Sequence, residues 1–224
     1  MLLEIACFSL DSALVAAAAG ADRIEFCKNY AIGGKSPSPE DVAILREKTK
    51  VPIYVMIRTR SGNFNYTAAE IEAMHLLIKQ FLEIGVNGFV FGCLNSDKTI
   101  DVESCLYLLK AAAGKPCTFH RAIDEVPDFE ASIKTLVDLG FSSVLTSGHN
   151  CNAEVGFNAL QKAQAKFGHH ISIIAGGGVR SSNIELLLAT GCKAYHSAAL
   201  DEDQKISKTE IETLKKKILA YEKN

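Results

Sequence analysis

Short apolar runs alternate with longer amphipathic stretches along the chain, and the alternation repeats eight times. The runs are Leu2–Cys7, Arg23–Cys27, Ile53–Arg58, Gly88–Phe91, Cys117–His120, Ser143–Thr146, Ile171–Ala175 and Ala194–Ser197. Most are rich in Val, Ile or Phe, as strands covered by helices should be. Helix signals stand between them. Ser38-Pro39-Glu40-Asp41 combines an N-cap, a proline at the first helical position and acids in the first turn. Thr67-Ala68-Ala69-Glu70 and Ser207-Lys208-Thr209-Glu210 match the capping box, in which hydroxyl and carboxylate satisfy orphan backbone N–H groups reciprocally. Ile71, Met74, Ile78, Phe81 and Leu82 then recur at helical spacing, as do Ile211, Leu214, Ile218 and Tyr221.

A repeat lies beneath the alternation. Gly20, Gly85, Gly140 and Gly191 each stand where a helix hands over to an even-numbered strand, whereas Val51-Pro52 and Lys115-Pro116 precede the third and fifth strands. A two-strand period repeated around the chain suits a closed eight-stranded barrel, because alternate strands supply alternate interior layers. An open doubly wound sheet shows the same alternation, but it rarely needs so many regular units in a chain of 224 residues. The expectation is one α/β domain, a (β/α)8 TIM barrel, over residues 1–224.

Composition narrows the partners. A net charge of −2 gives no general attraction to nucleic acid or anionic lipid, so neither is expected. The N-terminal run carries Glu4 and no basic stretch, and so reads as a strand rather than a signal peptide. Ala13–Ala21, bounded by Asp11 and Asp22, is too short to span a membrane. Seven cysteines are scattered singly with no C-x-x-C pair, which points to reduced thiols in the cytosol.

In a barrel, chemistry gathers where strands end and the following loops begin. Glu25 and Cys27 end the second run, and Arg58 and Arg60 mark the third. His120, Arg121 and Asp124 follow the fifth, Thr146, Ser147 and His149 the sixth, and His196 and Ser197 close the eighth. Side chains alternate faces, and a charge on the helix-covered face would be desolvated. Glu25, Arg58 and His120 are therefore expected to point into the barrel mouth and meet there. An acid, a guanidinium and an imidazole together can move protons or grip an acidic substrate; the plainer alternative is a salt-bridged plug. Gly176, Gly177 and Gly178 leave the seventh strand and are expected to enter a helix near Ser181 and Ser182. Loops at this place often bind phosphate, although a tight turn alone would call for the same glycines. Ser147 and Gly148 can line the same rim. The remaining histidines have plainer readings: His75 packs on an apolar helix seam, and His169 and His170 are solvated. Cys105, Cys117 and Cys192 are small core hydrophobes.

Longer motifs carry a resemblance. Asp11-Ser12-Ala13 and Gly20-Ala21-Asp22-Arg23-Ile24-Glu25-Phe26-Cys27 are followed in order by Gly33-Gly34, Ser36-Pro37-Ser38 and Met56-Ile57-Arg58-Thr59-Arg60-Ser61-Gly62-Asn63-Phe64-Asn65-Tyr66. Thr118-Phe119-His120-Arg121-Ala122-Ile123-Asp124, Leu145-Thr146-Ser147-Gly148 and Ala175-Gly176-Gly177-Gly178-Val179 continue the series. From Met1 to about Ala199 the chain resembles the CutC copper-homeostasis proteins. The resemblance implies a barrel fold, a cytoplasmic location, self-association as a homo-oligomer and handling of copper(I). It places copper-binding cysteines at the ends of the first two strands; the second matches Cys27, and the first falls on Ala6, with Cys7 the next residue. One step along a strand reverses the face, so Cys7 reaches the mouth only if its strand has ended.

Two functions are thus expected to compete. One is a CutC-like protein that binds Cu(I) through Cys27 with help from Cys7 or a nearby histidine. The other is a barrel enzyme acting on a small anionic or phosphorylated metabolite. There Gly176, Gly177, Gly178, Ser147, Arg60 and Ser197 would hold the anion, Arg58 and Arg121 would orient the substrate, and Glu25 or His120 would move a proton, with Asp124 a further catalytic candidate. A divalent metal at Glu25, His120 and His196 is a variant of the second, with strand parity set against His196. A third reading is a binding scaffold whose relic site no longer turns over.

Overall fold

In the computed structural model, which describes residues 1–223, every predicted run forms a strand. The order is β1 (Leu2–Cys7), α1 (Leu10–Ala18), β2 (Arg23–Phe26), α2 (Pro39–Lys48), β3 (Ile53–Met56), α3 (Ala68–Ile84), β4 (Gly88–Phe91) and α4 (Val102–Ala111). It continues through β5 (Cys117–Phe119), α5 (Phe129–Leu139), β6 (Ser143–Thr146), α6 (Phe157–Phe167), β7 (Ser172–Ala175), α7 (Ile184–Leu188), β8 (Ala194–Ser197) and α8 (Lys208–Tyr221). The strands are parallel and close in sequence order, with β8 pairing back to β1. This is a (β/α)8 barrel.

The local signals act as chemistry requires. Ser38 Oγ accepts from Asp41 N–H, and both capping-box residues Thr67 and Glu70 bond reciprocally at the start of α3. Gly85 and Gly140 end α3 and α5 in the left-handed conformation that any side chain would strain. Strands β2, β3 and β5 stop short of Cys27, Arg58 and His120, because the backbone there turns into loops: Arg58 N–H bonds Ser36 Oγ at 2.8 Å instead of a neighbouring strand. The helix expected near Ser181 and Ser182 forms just beyond them. α7 begins at Ile184 and spans five residues, because Ser181 is drawn to α8, its N–H and Oγ both bonding Glu210 at 2.7 Å.

Strand parity sorts the core into two layers. Leu3, Ile5, Cys7, Ile24, Phe26, Val55, Phe89, Phe91 and Phe119 pack outward against helix residues such as Met74, Ile78, Leu108 and Leu214 in one continuous cluster. Each such buried side chain contributes about 1.5–3 kcal/mol. The barrel interior holds two smaller apolar groups, Cys27–Tyr54–Met56–Val90 and Leu145–Ile174–Ala194. Between these groups, on the β8–β1–β2 side, the interior is polar instead.

Candidate functional site

The polar sector follows from register. Glu4 on β1 lies opposite Arg23 on β2 and opposite His196 on β8, so all three side chains enter the barrel. Glu25 and Cys27, two and four residues beyond Arg23, share its face. Arg23 Nε donates to Glu4 Oε2 at 2.5 Å, while His196 Nδ1 lies 2.7 Å from Glu4 Oε1. Cys27 Sγ donates to Glu25 Oε1 at 3.2 Å. Glu25 Oε2 has no hydrogen-bond partner and stands 3.9 Å from His196 Nδ1. Glu4, Glu25 and Cys27 are at most 3% exposed, and only His196 is partly open. Arg23 also caps the Tyr54 ring at 4.2 Å.

These contacts divide the charges unequally. Burial alone would raise Glu4, but the Arg23 guanidinium and His196 outweigh it and hold the carboxyl down at about 2. Glu25 has no such cation in contact; burial raises its pKa, and facing His196 only partly offsets this. His196 would be lowered by burial, yet the Glu25 and Glu4 carboxylates raise it. Burial and the adjacent Glu25 push the Cys27 thiol well up. Arg23 thus compensates the Glu4 carboxylate and leaves Glu25 facing His196 without a hydrogen bond between them. Atoms of Glu4, Glu25 and His196 that can ligate a cation lie within 4.8 Å of one another. Ala6, the register partner of Glu25, lines a cleft of about 430 Å³ with Phe8, Tyr30, Gln204 and Lys205.

The meeting of Glu25, Arg58 and His120 expected from the sequence does not occur as one constellation. Arg58 Nη1 donates to the carbonyls of Ile32, Gly33 and Gly34 at 3.1–3.2 Å, and Nη2 to Gly62 at 2.9 Å. Both terminal nitrogens of the guanidinium are thus spent on loop carbonyls, while Nε is buried without a partner. The guanidinium stacks on Phe64 at 4.9 Å, and His120 meets the same ring at 4.7 Å. His120 Nδ1 accepts from Ala122 N–H, its Nε2 is buried without a partner, and burial followed by nearby Arg58 drives its pKa down to about 3.

A second polar group gathers on the rim formed by the loops after β5 and β6. Arg121 Nε donates to Asp124 Oδ2 and Nη2 to Ser147 Oγ, both at 2.9 Å. Asp124 also accepts from Thr146 Oγ1 and from the Ser147 and His149 N–H groups. Gly177 lies against this group: a Cβ there would stand 3.2 Å from Arg121 Cζ. Gly177 and Ser147, expected to hold the anion, therefore lie together with Arg121, expected to orient the substrate.

Four expectations need correction. Arg60 is not free to hold an anion, because it bonds Glu70 and the carbonyls of Ser61, Asn63 and Asn65. Ser197 faces outward, one step past His196, and its Oγ donates to the Val179 carbonyl at 2.6 Å. Cys7 remains within β1 and packs in the outer layer, its thiol on the Ile5 carbonyl, so it does not share the face of Cys27. His196, which parity was expected to turn away, points inward with Glu4. Glu4 and Arg23 are absent from the residues expected at the site. The available signal was a charge inside each of two otherwise apolar strands, Glu4 in β1 and Arg23 two residues before Glu25 in β2.

Comparison with known proteins agrees with this architecture. Residues 1–201 match the CutC family model. The chain is 37% identical over 199 residues to the human copper homeostasis protein cutC homolog, covering 88% of this chain and 73% of that protein. It is 40% identical over 199 residues to the Caenorhabditis elegans homolog, covering 88% and 80%. The crystal structure of a CutC protein from Streptococcus agalactiae superposes with a TM-score of 0.83 at 32% identity, covering 88% of this chain and 98% of that one. The chain belongs to the CutC family.

Proposed function

We propose that the chain serves copper homeostasis by taking a copper ion, as cargo, into the barrel interior at Glu25, His196, Glu4 and Cys27. The observation that carries this is the convergence of three ligating atoms within 4.8 Å, with Glu25 Oε2 buried and unpartnered among them. A two-thiolate Cu(I) site does not fit. Copper(I) favours soft sulfur ligands, but Cys27 is the one cysteine on the inner face of the β1–β2 pair, and Cys7 is held on the other. One imidazole with carboxylates better suits divalent copper. The family resemblance and the free cysteines support a cytosolic homo-oligomer as the working form.

A copper ion in this arrangement needs a neutral His196 and an ionised Glu25, so affinity falls as pH falls. Titration of Cu(II) at pH 7 against a competing chelator is expected to show affinity losses of about 10–100-fold or more in Glu25→Gln and in His196→Ala. Cys27→Ser is expected to weaken Cu(I) more than Cu(II). Wild-type affinity for Cu(II) in both Glu25→Gln and His196→Ala would overturn the reading.

The enzyme reading survives in altered form. Glu25, raised by burial, and His196, raised by the Glu25 and Glu4 carboxylates against the effect of burial, are the groups this reading would use to move a proton. Arg58 and His120 are not.

A further inference from the structure

We infer that the rim where the β5, β6 and β7 loops meet is a subsite for the phosphoryl group of a small molecule, held by Arg121 and the backbone N–H groups of Gly177 and Gly178. This inference does not depend on copper binding.

The guanidinium is fixed but not exhausted. Nε and Nη2 are anchored on Asp124 and Ser147, while Nη1 faces Gly177, where a Cβ would come within 3.3 Å of it. Among the described residues Nη1 meets no protein acceptor. The Asp124 carboxylate, which would otherwise repel an anion, is spread over Thr146, Ser147, His149 and Arg121 donors. The turn is held from the other side. The Gly177 carbonyl accepts from Ala153 N–H at 2.8 Å and the Gly178 carbonyl from Asn183 Nδ2 at 2.9 Å. Among the described residues neither glycine's N–H donates to any protein acceptor. Both glycines are left-handed, with φ of +89° and +83°. A Cβ on Gly177 would also approach Ser147 Cβ to 3.0 Å, so only glycine brings this backbone up to the guanidinium.

Successive unpaired N–H groups in a turn form an anion-binding concavity, and a planar guanidinium matches phosphate oxygens in pairs. α7 is too short to add to this, so the recognition rests on the turn and Arg121. The chemistry reaches further through Gly176. A Cβ there would lie 3.3 Å from His196 Cβ, so the anion subsite adjoins the Glu25–His196 pair across one residue. A small phosphorylated compound anchored at Gly177 would present its remaining atoms toward that pair.

The test uses the full chain freed of metal by chelation, so that phosphate cannot bind through a cation. Inorganic phosphate is titrated at constant ionic strength while backbone amide resonances are followed. Saturable shifts centred on Gly177 and Gly178, larger than those given by acetate or chloride, are expected. Arg121→Gln should weaken binding about tenfold or more, the loss of one charge-assisted hydrogen bond, and Arg121→Lys by less. Absence of saturable shifts in the folded wild-type protein would overturn the inference. So would phosphate affinity unchanged in Arg121→Gln, or in Arg121→Lys should the Gln variant fail to fold.

Discussion

Arg23→Met is expected to lower the free energy of unfolding by about 3–5 kcal/mol, since removing one member of a buried ion pair strands the other charge. Glu4 is fully buried and Arg23 nearly so, and their bond crosses from β1 to β2 inside the barrel. A methionine side chain would fill much of the space that Arg23 occupies beside Tyr54, so the loss measures charge rather than volume. The double variant Glu4→Gln with Arg23→Met should recover part of the stability, because an amide in place of the Glu4 carboxylate can still bond His196 and leaves no bare charge. Urea unfolding of the wild type and the two variants decides this. A loss below about 1 kcal/mol in Arg23→Met would place the pair in the class of solvated surface bridges.

Acidification is expected to destabilise the protein through His120. Its pKa is about 3 in the fold, against 6.5 for a solvated imidazole, because it is buried beside Arg58. Between those values the unfolded chain binds a proton that the folded chain refuses. Stability is therefore full above pH 6.5 and falls as pH drops towards 3, by about 3 kcal/mol at pH 4. Glu4 adds its own loss at lower pH, since its contribution is present above the ordinary carboxyl range and disappears as pH falls towards about 2. His196 acts in the opposite sense. Its raised pKa stabilises the fold in acid and loses that effect as pH rises through the folded value. His120→Asn leaves an acceptor near Ala122 N–H and removes the titration. Its unfolding free energy should change less steeply between pH 6.5 and 4 than that of the wild type. An unchanged slope would mean that another group carries the acid limb.

The barrel was legible because its signals are local. Capping residues at Ser38, Thr67 and Ser207, left-handed glycines at Gly85 and Gly140, and short apolar runs each act within a few residues of themselves. The site was legible only where parity along one strand sufficed, as for Glu25 with Cys27. Its partners depend on register between strands far apart in sequence: Glu4 meets His196 only because the barrel closes β8 onto β1. Arg58 shows the converse limit. Its inward direction could be read from the sequence, but the carbonyls of Ile32, Gly33, Gly34 and Gly62 that hold its two terminal nitrogens come from loop geometry with no side-chain signature. For Cys7 and Ser197, a single residue of phase decided which side of the barrel wall they occupy.

The most direct test is diffraction from crystals grown with Cu(II), recorded at the copper absorption edge. The proposed copper site predicts an anomalous peak inside the barrel, bonded to Glu25 and His196 between β2 and β8. A peak at Cys7, at the exposed Cys151 or at surface histidines, with none at that interior position, would contradict it.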